Sequence, residues 1–364
     1  MTDADFAVNL LKSEKIKIDV SIEKYLADLK KPSPIQPSAI HKAYDDAFND
    51  VLTRGGKRLR GALAKQSYEM FSESATPSEI EFVALGIELF GTFLLVIDDA
   101  DDRSINRRGE PTVHRLIEQF LQNSQYSGDL SHFGNMGTFY SAMSALSSYQ
   151  SYLYEIKLEP QLVLKLAKSF TDTLLYALHG QLLEKEVSNT KIALENDVLE
   201  VHKYKTGYYT FFHPLQAGAI VAGVPQKEIQ KLQEYALSAG TAFQLQDDIL
   251  GMFGDDKVTG KPAVDDLREG KRTLLIVKAL ESANSTQRKL IMSALGNSGL
   301  TVEDANKVRE IITETGSLEY NKQKCTELVD LAKSSFKENF TAYSETDQYR
   351  FFNGILDFII SREH

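Results

Sequence analysis

Residues 79–102 read EIEFVALGIELFGTFLLVI followed by DDADD, and this stretch decides the fold. Its apolar residues fall on every side of a 3.6-residue turn instead of alternating, as in a helix buried at the centre of a bundle. Residues 229–250, IQKLQEYALSAGTAFQLQDDIL, repeat the pattern in a more amphipathic form and again run into aspartates. Prolines are nine in number and sit mainly in breaks, among them KPSPIQPS (31–38), Pro77, Pro111, Pro160, Pro225 and Pro262. No run of β-branched residues between hairpin turns marks a sheet. The expectation is an all-α bundle around a central cavity, one helical domain over 1–364. Within it, 1–38 hold N-terminal helices and a proline-rich break, 39–280 the main helical body, and 281–364 C-terminal helices. Two polar stretches, 122–137 and 251–271, read as loops; the second, dense in Gly, Lys and Asp, reads as functional.

In Asp98-Asp99-Ala100-Asp101-Asp102, the outer aspartates are four apart and share a helix face, with Asp99 about 100° away. Like charges at that spacing repel, more strongly as they are buried, and a cation relieves the repulsion. Oxygen donors without His or Cys suit Mg²⁺. The plainer alternative is a solvated helix end, although aspartate favours the opposite end of a helix. A second pair, Asp247-Asp248, also follows an apolar helical run, with Gln244 one turn upstream. The expectation is that the two acidic ends face each other across a cavity, with Mg²⁺ and a diphosphate bridging them.

Basic residues cluster near glycines. Gly55-Gly56-Lys57-Arg58-Leu59-Arg60 places three cations in four positions, Arg107-Arg108-Gly109 follows the first acidic cluster, and Lys205-Thr206-Gly207 offers a cation and a hydroxyl. Lys261 and Lys271 bracket the glycine-rich stretch. Glycine lets backbone amides approach an anion, and Arg and Lys supply charge-assisted bonds. Singly, each is ordinary surface. Walker, GxGxxG, HExxH, serine-elbow and kinase patterns are absent. His41, His114, His132, His179, His202 and His213 lack metal-ligand spacing and read mostly as surface or satisfied structural residues.

The net charge of −10 argues against nucleic acid or an anionic membrane surface as partner. Cys325 is the single cysteine, which excludes an intrachain disulfide and fits a reducing cytoplasm. No secretory signal pattern opens the chain, and no uninterrupted apolar run approaches the roughly 18 residues of a membrane span. Stable membrane insertion is not expected.

Taken in order, GGKRLR (55–60), DDADDRSINRRGEPTVH (98–114), KTG (205–207), FQLQDD (243–248), GD…TGKP (254–262) and EGKRT (269–273) resemble the trans-polyprenyl diphosphate synthase family, which includes farnesyl and geranylgeranyl diphosphate synthases. The likeness spans about residues 40–280. It implies the isoprenoid-synthase helical fold, a homodimer, and three Mg²⁺ ions when substrate is bound. By this resemblance Asp98, Asp99, Asp102, Asp247 and Asp248 are metal ligands. Arg107, Lys205, Thr206, Gln244, Lys261 and Lys271 hold an allylic diphosphate; Gly56, Lys57, Arg60 and Arg108 hold isopentenyl diphosphate. Asp98, Asp102, Lys205, Asp247 and Lys261 carry the catalysis.

Four positions depart from the family pattern, the first being the family's GQxxD, which reads Gly180-Gln181-Leu182-Leu183-Glu184. The residue seven before the first aspartate, commonly His or Gln against isopentenyl diphosphate, is Gly91; the residue just before it, often His, is Ile97. The last aspartate of the second motif is Gly251, with Asp255 nearby. Phe93, roughly 7 Å down the helix axis from Asp98, and Leu94 beside it are the chain-length residues, and a bulky floor there implies a C20 product, with C15 as the shorter option. The rivals are a terpene cyclase or squalene-type synthase on the same fold, and a non-catalytic subunit that binds isoprenoid diphosphates. Neither enzyme rival accounts for GGKRLR together with RRG.

Overall fold

The computed structural model describes residues 1–28, 38–72, 78–190, 192–254 and 264–361. The chain forms two compact units: Met1–Val8, Lys168–Gln216 and Val224–His364 in one, Asn9–Ala167 and Ala217–Gly223 in the other.

The helices are α1 (Asp3–Asp28), α2 (Ala39–Thr53), α3 (Leu59–Phe71), α4 (Ser78–Asp101), α5 (Val113–Asn123), α6 (Leu130–Leu153), α7 (Pro160–Asn189), α8 (Glu195–His202), α9 (His213–Val221), α10 (Gln226–Gln230), α11 (Leu232–Phe253), α12 (Asp265–Glu269), α13 (Leu274–Ser282), α14 (Ser285–Ala294), α15 (Val302–Glu314), α16 (Ser317–Phe340) and α17 (Asp347–Ser361). A π-helix, Lys203–Phe212, joins α8 to α9, and His213 N bonds to Tyr208 O five residues back. The only strands among the described residues are β1 (Asn106–Arg107) and β2 (Glu110–Pro111), antiparallel with Arg107 opposite Glu110.

In the unit containing Asn9–Ala167, α4 is the core helix. Its length and mean hydropathy of 2.2 would suit a membrane span, but 72% of that window is buried in the protein. The apolar run is not continuous, because Glu81 and Glu88 interrupt it. Lys65 on α3, 1% exposed, binds Glu14 Oε2 of α1 at 2.5 Å and Glu81 of α4. A buried charge without partners is costly, so this pair fixes α1 against α3.

In the other unit α11 is the hub. Tyr235 packs on Phe336 with ring centroids 4.7 Å apart, and its hydroxyl donates to Phe352 O at 2.9 Å. Below it, Ile249 and Met252 join Leu267, Leu275, Ile276, Val308 and Ile312 in a second core. The C-terminal helices thus hold the helix that carries Asp247 and Asp248.

The polar stretch 122–137 is not wholly a loop: α6 begins at Leu130, where Asp129 Oδ1 accepts from His132 N at 2.9 Å. Capping by one aspartate starts a helix inside a polar run. The stretch 251–271 likewise contains the end of α11 and all of α12.

Candidate active site

The first acidic cluster lies within the last turn of α4. Asp102, the residue after the helix, still donates its N–H to Asp98 O at 2.8 Å. Asp99 is 1% exposed, Asp102 9%, and Asp98 half-buried. Arg107 on β1 clamps Asp99 with two bonds, Nη2 to Oδ1 at 2.6 Å and Nε to Oδ2 at 2.5 Å, the bidentate geometry in which Arg neutralises a carboxylate most effectively. The turn between the strands is Arg108-Gly109, with φ of 56° and 79°. Two positive φ values match the two-residue hairpin turn that suits strand twist. Thr112 closes the loop by donating to Ser104 O at 2.8 Å. His114 sits behind it, with Nδ1 3.2 Å from Thr112 Oγ1. Burial pushes His114 down to about 4; Asp99 pulls it up and Arg115 pushes it further down.

The basic clusters of this unit meet. Arg108 Nη2 lies 2.6 Å from the place a Cβ on Gly56 would take, so the guanidinium rests on the glycine. Arg108 is exposed as a residue, yet its tip loses hydration and faces Arg107, Arg58 and Arg60; together these lower it to about 10, against a pull from Glu88. Arg58 is structural: buried, with φ of 52°, it donates to Asp19 Oδ1 at 2.7 Å and Leu52 O at 2.8 Å. Lys57 is exposed. Arg60 explains Gly91: its Cδ is 3.2 Å from where a Cβ at Gly91 would be, so the space of the expected His or Gln is occupied by Arg60. Phe93 is 3% exposed and stacks on Phe90 with centroids 6.2 Å apart, and Leu94 is half-buried.

The second cluster, in the other unit, is built on close backbone contact. A Cβ at Gly180 would lie 2.3 Å from Lys205 N, and one at Gly240 would lie 2.5 Å from Gly207 Cα. The glycines therefore let α7 and α11 press directly on the π-helix. Lys205 is ion-paired with Glu184 of α7. Thr206 Oγ1 donates to Gln244 Oε1 at 2.8 Å, and Gln244 Nε2 donates to Asp248 Oδ1 at 3.0 Å. His202 Nε2 lies 3.2 Å from Asp248 Oδ2. Asp247 is half-buried. Lys271 pairs with Glu269 at 2.6 Å and stands 3.6 Å from Asp266. Asp266 Oδ2 lies 2.8 Å from the position a Cβ on Gly251 would take, so a carboxylate from α12 stands where the missing aspartate's side chain would begin. Lys261 and Asp255 lie outside the described residues.

Among the described residues no three His, Cys, Asp or Glu side chains are arranged to hold a cation. Arg107 on Asp99 and His202 and Gln244 on Asp248 account for part of that arrangement. The donor set still fits a hard divalent ion, since it offers carboxylate oxygens alone, and Asp248 Oδ2 is buried without a hydrogen bond. His202 and Asp266 were not singled out from sequence as site residues, and Glu184 only as the residue at the last position of the family's GQxxD motif. One signal was available: His202 precedes Thr206 by four residues, as Gln244 precedes Asp248.

The fold matches known structures along its whole length. A geranylgeranyl pyrophosphate synthase from Corynebacterium glutamicum, solved with isoprenyl diphosphate and magnesium, superposes with a TM-score of 0.83 and 27% identity, covering 99% of this chain and 98% of that one. The molecule is therefore an enzyme of the all-α prenyltransferase class. Relatives 30% identical to it include a geranylgeranyl diphosphate synthase of Sulfolobus acidocaldarius, over 77% of this chain and 79% of the relative, and a short chain isoprenyl diphosphate synthase of Methanothermobacter thermautotrophicus, over 91% and 93%. A sequence profile described as polyprenyl synthetase matches residues 41–313, and the chain belongs to that family.

Proposed function

We propose that this chain is a short-chain all-trans polyprenyl diphosphate synthase that adds isopentenyl diphosphate head to tail to an allylic diphosphate, with C20 geranylgeranyl diphosphate as product. The observation that carries the reading is the meeting of Arg60 and Arg108 around Gly56 and Gly91, next to a cluster in which Arg107 already clamps Asp99. A terpene cyclase has no use for this additional anion site.

Asp98, Asp99 and Asp102 in one unit and Asp247 and Asp248 in the other are assigned to Mg²⁺, three ions with substrate bound. When bound, the metal would offset charge on the departing diphosphate. Arg107, Lys205, Thr206, Gln244, Lys261 and Lys271 hold the allylic diphosphate, and their cations stabilise the same charge. The C–O bond breaks with its electron pair leaving on diphosphate. The double bond of isopentenyl diphosphate, held at Gly56, Lys57, Arg60 and Arg108, attacks the allylic cation. A new C–C bond forms, and a proton leaves to the released diphosphate as the new double bond closes. Phe93 and Leu94 limit the growing chain, and the geranylgeranyl and short-chain names of the relatives support C20.

A homodimer is proposed on exposed apolar side chains. Leu175, Leu178 and Leu182 on α7 are 60%, 44% and 71% exposed at helical spacing, the kind of stripe that marks an interface. The proposed compartment is the cytoplasm. Purified protein incubated with MgCl₂, labelled isopentenyl diphosphate and dimethylallyl diphosphate should yield C20 alcohol after dephosphorylation. Allylic substrate consumed without isopentenyl diphosphate would favour a cyclase, and binding without turnover a non-catalytic subunit. Sedimentation should give a dimer that Leu178→Asp with Leu182→Asp converts to monomer.

A further inference from the structure

We infer that His202 is the positioning residue of the second acidic cluster: it fixes the Asp248 carboxylate so that Oδ2 keeps a lone pair directed at an incoming divalent cation. The inference rests on the prenyl synthase reading and adds a residue to its machinery.

Two side chains one turn apart meet two others one turn apart. His202, at the end of α8, and Thr206, in the π-helix, face Asp248 and Gln244 on α11. Thr206 donates to the Gln244 carbonyl, which turns the amide nitrogen toward Asp248 Oδ1. That settles one carboxylate oxygen. The other, Oδ2, is buried and forms no hydrogen bond, although His202 Nε2 is only 3.2 Å away. The ring is near enough to hold the carboxylate by contact, but lies off the line of a full hydrogen bond, so Oδ2 is restrained without being used up. A carboxylate only accepts, which places the ring proton on Nε2. Nδ1 is then a buried acceptor, and it has no partner among the described residues. A histidine serving the core is usually satisfied; His213, in the same unit, has Nδ1 2.9 Å from Ser169 Oγ. The arrangement at His202 favours Asp248 over the ring's own bonding. Gly207 against Gly240 keeps the two backbones close enough for both contacts.

The test uses the full chain. Binding of inorganic pyrophosphate is measured by calorimetry across a MgCl₂ series, alongside the Mg²⁺ concentration for half-maximal turnover. His202→Gln keeps a donor near Nε2, whereas His202→Asn places its donor near Nδ1 and His202→Leu has none. Loss of a residue that orients a metal ligand weakens metal affinity by about 10- to 100-fold. The expected result is therefore that Leu and Asn raise the Mg²⁺ requirement about tenfold or more, while Gln stays within about threefold of wild type at an unchanged melting temperature. If Leu binds Mg²⁺ and pyrophosphate like wild type, or if Gln fails alongside Leu and Asn while folded, the assignment is overturned. If Leu does not fold, the Gln–Asn difference decides alone. Wild-type protein that shows no Mg²⁺-dependent pyrophosphate binding would overturn the prenyl synthase reading, and the assignment with it.

Discussion

At the end of α4, a buried anion is cancelled by a cation: Asp99 is held by both ends of the Arg107 fork. At the corresponding end of α11, Asp248 is held by neutral donors and a histidine, and one oxygen stays without a hydrogen bond. The two acidic ends have the same composition and different support. In the first, Arg107 already pairs with the second aspartate of the motif, so Asp99 meets a metal as a neutralised carboxylate while Asp98 and Asp102 do not share that clamp. In the second, Asp248 is buried with no cation clamped to it and one oxygen without a hydrogen bond. Neutralised and un-neutralised carboxylates should fail in different ways when disturbed.

The largest effect separates chemistry from scaffold. Asp98→Ala and Asp248→Ala should each lower kcat on the order of 10³-fold, with circular dichroism unchanged; near-normal turnover in either would remove that carboxylate from the site. Arg107→Leu should act differently, because it strands a buried charge. A loss of about 3–5 kcal/mol in denaturant unfolding is expected, partly restored by adding Asp99→Asn. His202→Leu, by contrast, should change stability by less than about 1 kcal/mol, since its Asp248 contact is already off-line. Equal losses in the two variants would erase the distinction.

Two buried histidines, His114 in one unit and His213 in the other, are pushed down to about 4 by burial. The unfolded chain takes up these protons near pH 6.5 and the folded chain only near pH 4. Stability is therefore full above about pH 6.5 and falls as pH drops toward 4, by up to about 3 kcal/mol per histidine. Unfolding measured from pH 7 to 5 should show this slope, and His114→Asn should flatten its part of it. The smallest effect concerns Gly91. Gly91→Ala places a Cβ about 3.2 Å from Arg60 Cδ, and should raise KM for isopentenyl diphosphate about tenfold at similar kcat, since uniform binding is lost. An unchanged KM would separate Arg60 from that substrate.

The helical architecture was legible because residues 79–97 and 229–250 carry their period openly, and the motifs kept their order along the chain. The fine structure of the site was not. A two-residue hairpin at Arg107–Glu110 is too short to leave a pattern in sequence, and α6 starts inside a polar run because of Asp129 alone. The departures Gly91 and Gly251 look like losses when read one position at a time. In three dimensions Arg60 and Asp266, far off in sequence or on another helix, stand in the space each glycine leaves. His202 was passed over because its partner lies 46 positions away on α11, and helical spacing within one segment says nothing of the segment opposite.

The π-helix over Lys203–Phe212 carries a further consequence. A wide turn of this kind behaves as one surplus residue absorbed into an α-helix. Shortening the segment by that single residue would let it relax to ordinary winding, with the helix beyond it kept close to its present phase. The chain would then be no less helical, yet a deletion between His202 and Thr206 would bring the two to a three-residue spacing and shift Thr206 from its place against Gln244. Length, as much as side-chain chemistry, is what this stretch must preserve.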